Sequence, residues 1–200
     1  MADNFKKSPS DTDAQEAVRV LLRFIGEDPD RAGLRRTPER VLKCFGEWYG
    51  GYSEDPAAIL GSSFPDADGF RHMVALTHID FESHCEHHMA PFIGRAHIAY
   101  VPEGRVVGVS KLVKVVNAFA KRLQVQEKLT KQIAECIHGE LRPKGVAVML
   151  EAQHQCMTTR GVYKNNINMV STTLLGCFET DPELRAEFLA VVAKGAARIS

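Results

Sequence analysis

Residues 72–102 read HMVALTHIDFESHCEHHMAPFIGRAHIAYVP. Two strand-like runs, HMVALTHIDF and IGRAHIAYVP, flank a short segment in which His84, Cys85, Glu86, His87 and His88 stand in succession. Apolar runs on either side of a short polar turn are the pattern of an antiparallel hairpin. This turn is also loaded with side chains that ligate metals and move protons.

Working outward, EGRVVGVS (103–110) offers a turn and a short strand, and two helices follow. Ser110 is placed to cap the first, whose buried stripe is Leu112, Val115, Val116, Phe119 and Leu123. The second carries Leu129, Ile133, Cys136 and Ile137 and is closed by RPKG (142–145). VAVMLEAQHQC (146–156) and NMVSTTLLGCF (168–178) read as two more strands, and Asp181-Pro182 starts a last helix. Upstream, apolar spacing predicts a helix from Ala14 to Ile25. A second is predicted with Thr37 as N-cap, Pro38 at its first position, and Gly50-Gly51 at its end. Hairpin, paired helices and hairpin behind a helical arm predict an α+β fold, an antiparallel sheet backed on one face by two helices. The expected divisions are a disordered tail over 1–13, a helical arm and linker over 14–72, and a catalytic domain over 73–200.

Lys plus Arg number 25 and Asp plus Glu number 25, so no global field favours nucleic acid or an anionic membrane. No apolar run approaches the ~20 residues of a membrane span, and the N-terminus lacks the apolar stretch of a secretory signal. The five cysteines, Cys44, Cys85, Cys136, Cys156 and Cys177, are odd in number and scattered. That distribution points to a reducing cytoplasm, where a Cys/His cluster means metal or catalysis.

Cys85 and His88 are three apart, a spacing that lets a tight turn aim both at one ion. Strand parity places Val146, Val148, Leu150, His154 and Cys156 on one face, so Cys156 is a candidate third ligand. A fourth cysteine at conventional spacing is missing, which favours a catalytic zinc site with an open position over a structural one. Cys44, Cys136 and Cys177 read as small apolar residues. His72, His78, His97 and His138 read as surface or satisfied core residues. In GVSKLVKVVNAFAKR (108–122), Ser110 at a helix start with Lys111 and Lys114 forms a possible anion site, joined by Arg160 and by Arg40 with Lys43. A solvated basic helix face has the same sequence. Gln126 and Glu127 open the next helix; a carboxylate there can accept both the N1–H and the amine of guanine, or simply cap the helix.

The stretches GLRRTPERV, SHCEHHMAPFIGRAHIAYVP, VVGVSKL, AKRLQVQEKLTKQI and EAQHQCMTTRGV, in that order, resemble the zinc form of the GTP cyclohydrolase I family over roughly residues 15–195. The resemblance implies a T-fold (tunnelling fold) and hydrolysis of GTP to 7,8-dihydroneopterin triphosphate and formate, the first step of folate and pterin synthesis. It implies attack on C8 of guanine by zinc-activated water, with the Zn2+ held by Cys85, His88 and Cys156. His87 and His154 then correspond to the acid/base pair, with Ser110 joining in proton movement, and Gln126 with Glu127 to the guanine clamp. Lys111, Lys114, Arg160, Arg40 and Lys43 correspond to triphosphate positions. Assembly as a toroidal homodecamer with shared sites, in the cytoplasm, is also implied. Lys114 departs from the arginine common in the family, keeping the charge but losing the planar two-pronged donor. Two other readings are a zinc-dependent adaptor module and a different T-fold enzyme acting on pterins or deazapurines.

Overall fold

The computed structural model describes residues 9–61, 63–65 and 69–196. The chain forms two compact units, Met1–Tyr49 and Gly50–Ser200.

The N-terminal unit holds α1 (Asp11–Phe24) and α2 (Thr37–Trp48). Ser10 Oγ accepts from the Asp13 N–H at 3.2 Å while the Asp13 carboxylate accepts from the Ser10 N–H at 3.0 Å. This reciprocal capping box starts α1 ahead of its first apolar residue. Residues 11–13 are therefore the first helical turn and not part of a disordered tail; the tail expected over residues 1–8 lies outside the described residues. Thr37 is likewise not the cap of α2. Arg36 holds that position without a side-chain bond, and the helix grows out of backbone turns, with Thr37 N–H on Leu34 O at 2.8 Å and Pro38 buried in the first turn.

The second unit runs through a 3-10 turn (Gly50–Ser53), α3 (Pro56–Leu60), β1 (Phe64–Pro65), β2 (Val74–Cys85), β3 (Pro91–Val101) and β4 (Arg105–Val106). It continues with α4 (Val109–Ala120), β5 (Leu123–Gln124), α5 (Gln126–Leu141) and β6 (Gly145–His154). Last come α6 (Gln155–Thr158), β7 (Met169–Gly176), α7 (Cys177–Thr180) and α8 (Pro182–Ala196). Both expected hairpins form: β2 pairs β3 with His84 opposite Pro91, and β6 pairs β7 with Ala152 opposite Met169. β3 and β6 join them in a five-stranded sheet ordered β5-β2-β3-β6-β7. One pair departs from the antiparallel plan, because β5 runs parallel to the end of β2 with Gln124 opposite Cys85.

One sheet face packs Phe81, Phe92, Ile98, Val148 and Leu150 against Leu112, Val116, Leu129, Ile133 and Ile137 of α4 and α5. Burying each such side chain stabilises by about 1.5–3 kcal/mol relative to exposure. The expectation of helices on that face alone needs correction. Phe188 and Val192 of α8, with Phe178, pack on Ala99, Val101 and Ala147 of the opposite face. The run Ala96–Val101 is buried throughout rather than on alternate residues, the mark of a strand covered on both sides. Gly94 in β3 is required by close approach: a Cβ there would collide with the Glu151 carbonyl and Ala152 of β6.

The segment expected to be a linker begins on this second unit. The Gly51 N–H donates to Lys121 O at 3.1 Å, the Arg122 guanidinium donates back to Gly51 O at 3.0 Å, and Leu60 is buried. No described helix is long and apolar enough to cross a membrane.

This topology brings the end of β2, all of β5, the start of α5 and the end of β6 together at one end of the sheet. The start of α4 lies at the other end, beyond Val101, and a 12-residue helix spans about 18 Å.

Candidate metal centre and proton-transfer cleft

The turn after β2 is closed by its own backbone. The Cys85 N–H donates to Ala90 O at 2.8 Å, and the Met89 N–H returns to Cys85 O at 2.8 Å with Met89 at φ 53°. Folding back so tightly places His87 Nδ1 at 3.7 Å and His88 Nδ1 at 3.8 Å from Cys85 Sγ. Cys85 is buried, while both imidazoles are exposed.

Cys156 reaches the same point by a route that strand parity did not foresee. β6 ends at His154, and Cys156 rides on the short turn α6, which is closed by the Thr159 N–H on Gln155 O at 3.0 Å. The ligand atoms of Cys85, His88 and Cys156 nonetheless lie within 4.8 Å of one another. Partial burial first, and the Cys85 thiol beside it second, push the Cys156 thiol above its ordinary pKa. A cation between the two sulfurs would relieve that repulsion. Two thiols and one imidazole are donors that zinc prefers, and three protein donors leave a coordination position open. The residues present therefore fit zinc. His87 stands outside this set of three.

His154 approaches from β6. Its ring lies parallel to that of buried Phe92, 4.6 Å away and tilted by 2°, and the two residues are direct register partners on β3 and β6. Its Nε2 is 2.8 Å from Gln126 Oε1. Burial holds its pKa below the ordinary imidazole value, with the Glu127 carboxylate pulling the other way.

Gln126, expected in a guanine clamp, has its side-chain amide engaged with the core. It is 1% exposed, and its amide nitrogen is within reach of Leu150 O at 3.2 Å, Met169 O at 3.0 Å and Ser171 Oγ at 3.1 Å. Its neighbour Glu127 is exposed and lines the cleft. The cleft has a volume of about 200 Å³, and its lining includes Cys85, His87, His88, Gln126, Glu127, His154 and Cys156. A larger hollow of about 320 Å³ over Arg95 and Glu151 contains neither thiol nor imidazole.

The expected anion residues are dispersed. Arg160 Nη1 lies 3.0 Å from His88 Nε2, so it stands beside the metal donors. Ser110 and Lys111 occupy the start of α4, at the end of the sheet away from the cleft, with Lys114 at mid-helix, and Ser110 does not cap that helix, whose N-cap is Gly108. Arg40 and Lys43 are exposed on α2 of the N-terminal unit.

Several supporting residues escaped the sequence reading. Gln124 is buried beside Cys85 on β5, and its Oε1 has no partner among the described residues. Phe92, Ser171 and Thr130 hold His154 and Gln126. Only the register of β3 on β6 could have pointed to Phe92. Cys136, by contrast, is a core residue whose thiol burial pushes up to about 11, and it stays inert at neutral pH.

Residues 14–193 match the family described as GTP cyclohydrolase I. Two curated relatives named GTP cyclohydrolase 1, from Maricaulis maris (strain MCS10) and Brucella abortus (strain S19), are 48% and 50% identical to this chain. The matches extend over 186 residues, covering 93% of this chain and 91% and 87% of theirs. Among solved structures, the archaeosine synthase QueF-Like in the apo form aligns with 52% of this chain and 93% of that chain at TM-score 0.44 and 19% identity, too distant to add to the family match.

Proposed function

The chain belongs to the GTP cyclohydrolase I family, a T-fold family, and from that premise we propose that it hydrolyses GTP to 7,8-dihydroneopterin triphosphate and formate. The observation that carries this reading is the convergence of Cys85, His88 and Cys156 with His154 and Glu127 around one cleft.

Cys85, His88 and Cys156 would hold zinc, which when bound supplies the Lewis acidity that makes water a nucleophile near neutral pH. The exposed Glu127 carboxylate has two acceptor oxygens for the N1–H and exocyclic amine of guanine, which orients C8 toward the thiols. As water adds at C8, charge builds on the ring nitrogens. His87 can deliver a proton to N7, since an imidazole both donates and accepts protons near neutral pH. Release of formate is followed by opening and rearrangement of the ribose, for which His154 is the proton carrier on the opposite wall. Lys111, Lys114 and Arg160, with Arg40 and Lys43 from the N-terminal unit, would hold the triphosphate, so that remote binding energy keeps each intermediate in place.

The cleft of one chain is about 200 Å³, below the roughly 300–1,000 Å³ usual for ligand sites. Ser110 and Lys111 lie most of a helix length away, and Lys114 about half of one. Both facts support a site completed by a second copy of the chain, within a homodecamer of the family kind. Five free thiols suit a reducing cytoplasm.

The test is to incubate the zinc-loaded protein with GTP and follow formate release and, after oxidation, pterin fluorescence, with light scattering on the same sample. Assembled, zinc-loaded protein that leaves GTP intact refutes the reading, and an active monomer refutes the shared site.

A further inference from the structure

We propose that Gln126 is a positioning residue, whose amide oxygen accepts a hydrogen bond from His154 Nε2 and so fixes the orientation of that imidazole in the cleft. This rests on, and deepens, the reading of the cleft as the site of GTP hydrolysis.

The hydrogen positions follow from donor and acceptor chemistry alone. Gln126 is the first residue of α5 and 1% exposed. Its amide nitrogen faces the carbonyl oxygens of Leu150 and Met169 at 3.2 and 3.0 Å. Carbonyls only accept, so the nitrogen end of the amide is committed to that side and the group cannot be turned over. Thr130 Oγ1 donates its single hydrogen to Gln126 O at 2.8 Å, one turn back along α5. The 2.6 Å contact between Thr130 and Ser171 hydroxyls must then use the Ser171 hydrogen. Ser171 Oγ is left with a lone pair toward Gln126 Nε2 at 3.1 Å.

One end of the amide remains. Gln126 Oε1 meets His154 Nε2 at 2.8 Å, and an amide oxygen can only accept. His154 Nε2 therefore carries the hydrogen of this bond. Phe92, parallel to the imidazole at 4.6 Å, fixes the ring plane. Within this network both ends of the Gln126 amide are occupied, which leaves recognition of guanine to the Glu127 carboxylate. The network spans α5, β6 and β7, so the orientation of one histidine is tied to three core elements.

Two measurements test this on the zinc-loaded full-length protein. Neutron diffraction from deuterated crystals should find a deuteron on His154 Nε2 directed at Gln126. A bare Nε2 with the deuteron on Nδ1 overturns the proposal. Gln126→Met removes the acceptor at similar volume and should lower kcat at least about tenfold, a part of the 10²–10⁴-fold that a positioned acid–base group supplies, with KM for GTP held within about twofold. A rise in KM of about tenfold at parental kcat would instead make Gln126 a substrate ligand. If Gln126→Met fails to fold or to retain zinc, the neutron map of the parent decides. Parental protein that makes no pterin overturns the reaction assigned above, while the deuteron position still judges Gln126.

Discussion

Arg160 Nη1 lies 3.0 Å from His88 Nε2, on an imidazole whose other nitrogen, Nδ1, is 3.8 Å from Cys85 Sγ. A guanidinium has only donors, so this contact needs a bare Nε2 and a proton on Nδ1. Ligation through Nδ1 needs the reverse, with Nδ1 bare and the proton on Nε2. The two arrangements exclude each other. Arg160→Ala is therefore expected to tighten zinc binding by up to about tenfold, since such a hydrogen bond is worth roughly 0.5–1.5 kcal/mol, while weakening GTP binding. Competition against a chromogenic chelator measures the first effect, and equal zinc affinities would show that the contact has no weight.

Cys85→Ser and Cys156→Ser should each lose zinc and turnover together. Cys85 belongs to the buried core cluster and Cys156 packs against it, but serine replaces a single sulfur atom by oxygen, so circular dichroism and gel filtration are expected to stay parental. Metal content per chain, measured after dialysis, is the deciding quantity. A variant with one zinc per chain removes its residue from the ligand set, whereas unfolding on metal loss points to a structural site.

His87 Nδ1 comes within 3.7 Å of Cys85 Sγ, yet His87 is not one of the three converging donors. His87→Ala is expected to keep its zinc and lose roughly 10²–10⁴-fold in kcat, the range for a general acid. Parental turnover in that variant would take the acid role away from His87.

How far the sequence could be read depended on what each residue's neighbours were. The β2–β3 and β6–β7 hairpins and the α4–α5 pair follow from periodicity, because alternation and 3.6-residue spacing are local signals. α8 on the second sheet face was not legible, because Ala99, Val101 and Ala147 look like filler until a helix is packed on them. Cys156 was assigned to the right site by the wrong backbone, since nothing local in HQCMT announces that β6 becomes helical after His154. Gln126 and Glu127 are adjacent and polar, and only tertiary structure separates the buried one, which meets His154, from the one left exposed in the cleft.

Lys114 is exposed on α4 and presents a point charge to solvent. Lys114→Arg would add a planar fork that matches phosphate oxygens in pairs. The expected result is a KM for GTP lower by up to about tenfold, the weight of one added hydrogen bond, at unchanged kcat. Initial rates across GTP concentrations measure this, and an unchanged KM means that two-pronged geometry is irrelevant at this position.

A last prediction concerns acid stability and turns on His97. It is 0% exposed in β3, and its Nδ1 accepts the His78 N–H at 3.3 Å, where the register of β2 shifts and His78 takes φ 61°. Its Nε2 is 3.4 Å from Glu151 Oε1 on β6, the His78 ring stands edge-on at 4.7 Å, and Arg95 lies nearby on its own strand. Burial is the main cause that pushes its pKa below 6.5, His78 adds to it, and Glu151 opposes. With the folded value depressed, both states are neutral well above pH 6.5. As pH falls through that value, the unfolded chain takes up the proton first, and stability is lost progressively until the folded pKa is passed. Protonating Nδ1 would also strip the His78 N–H of its acceptor, which adds the cost of a buried orphan donor. The urea midpoint of the parent should therefore fall on acidification below about pH 6.5, and His97→Gln, less stable at pH 8, should fall less steeply. Parallel slopes in parent and variant would assign the acid sensitivity to other groups.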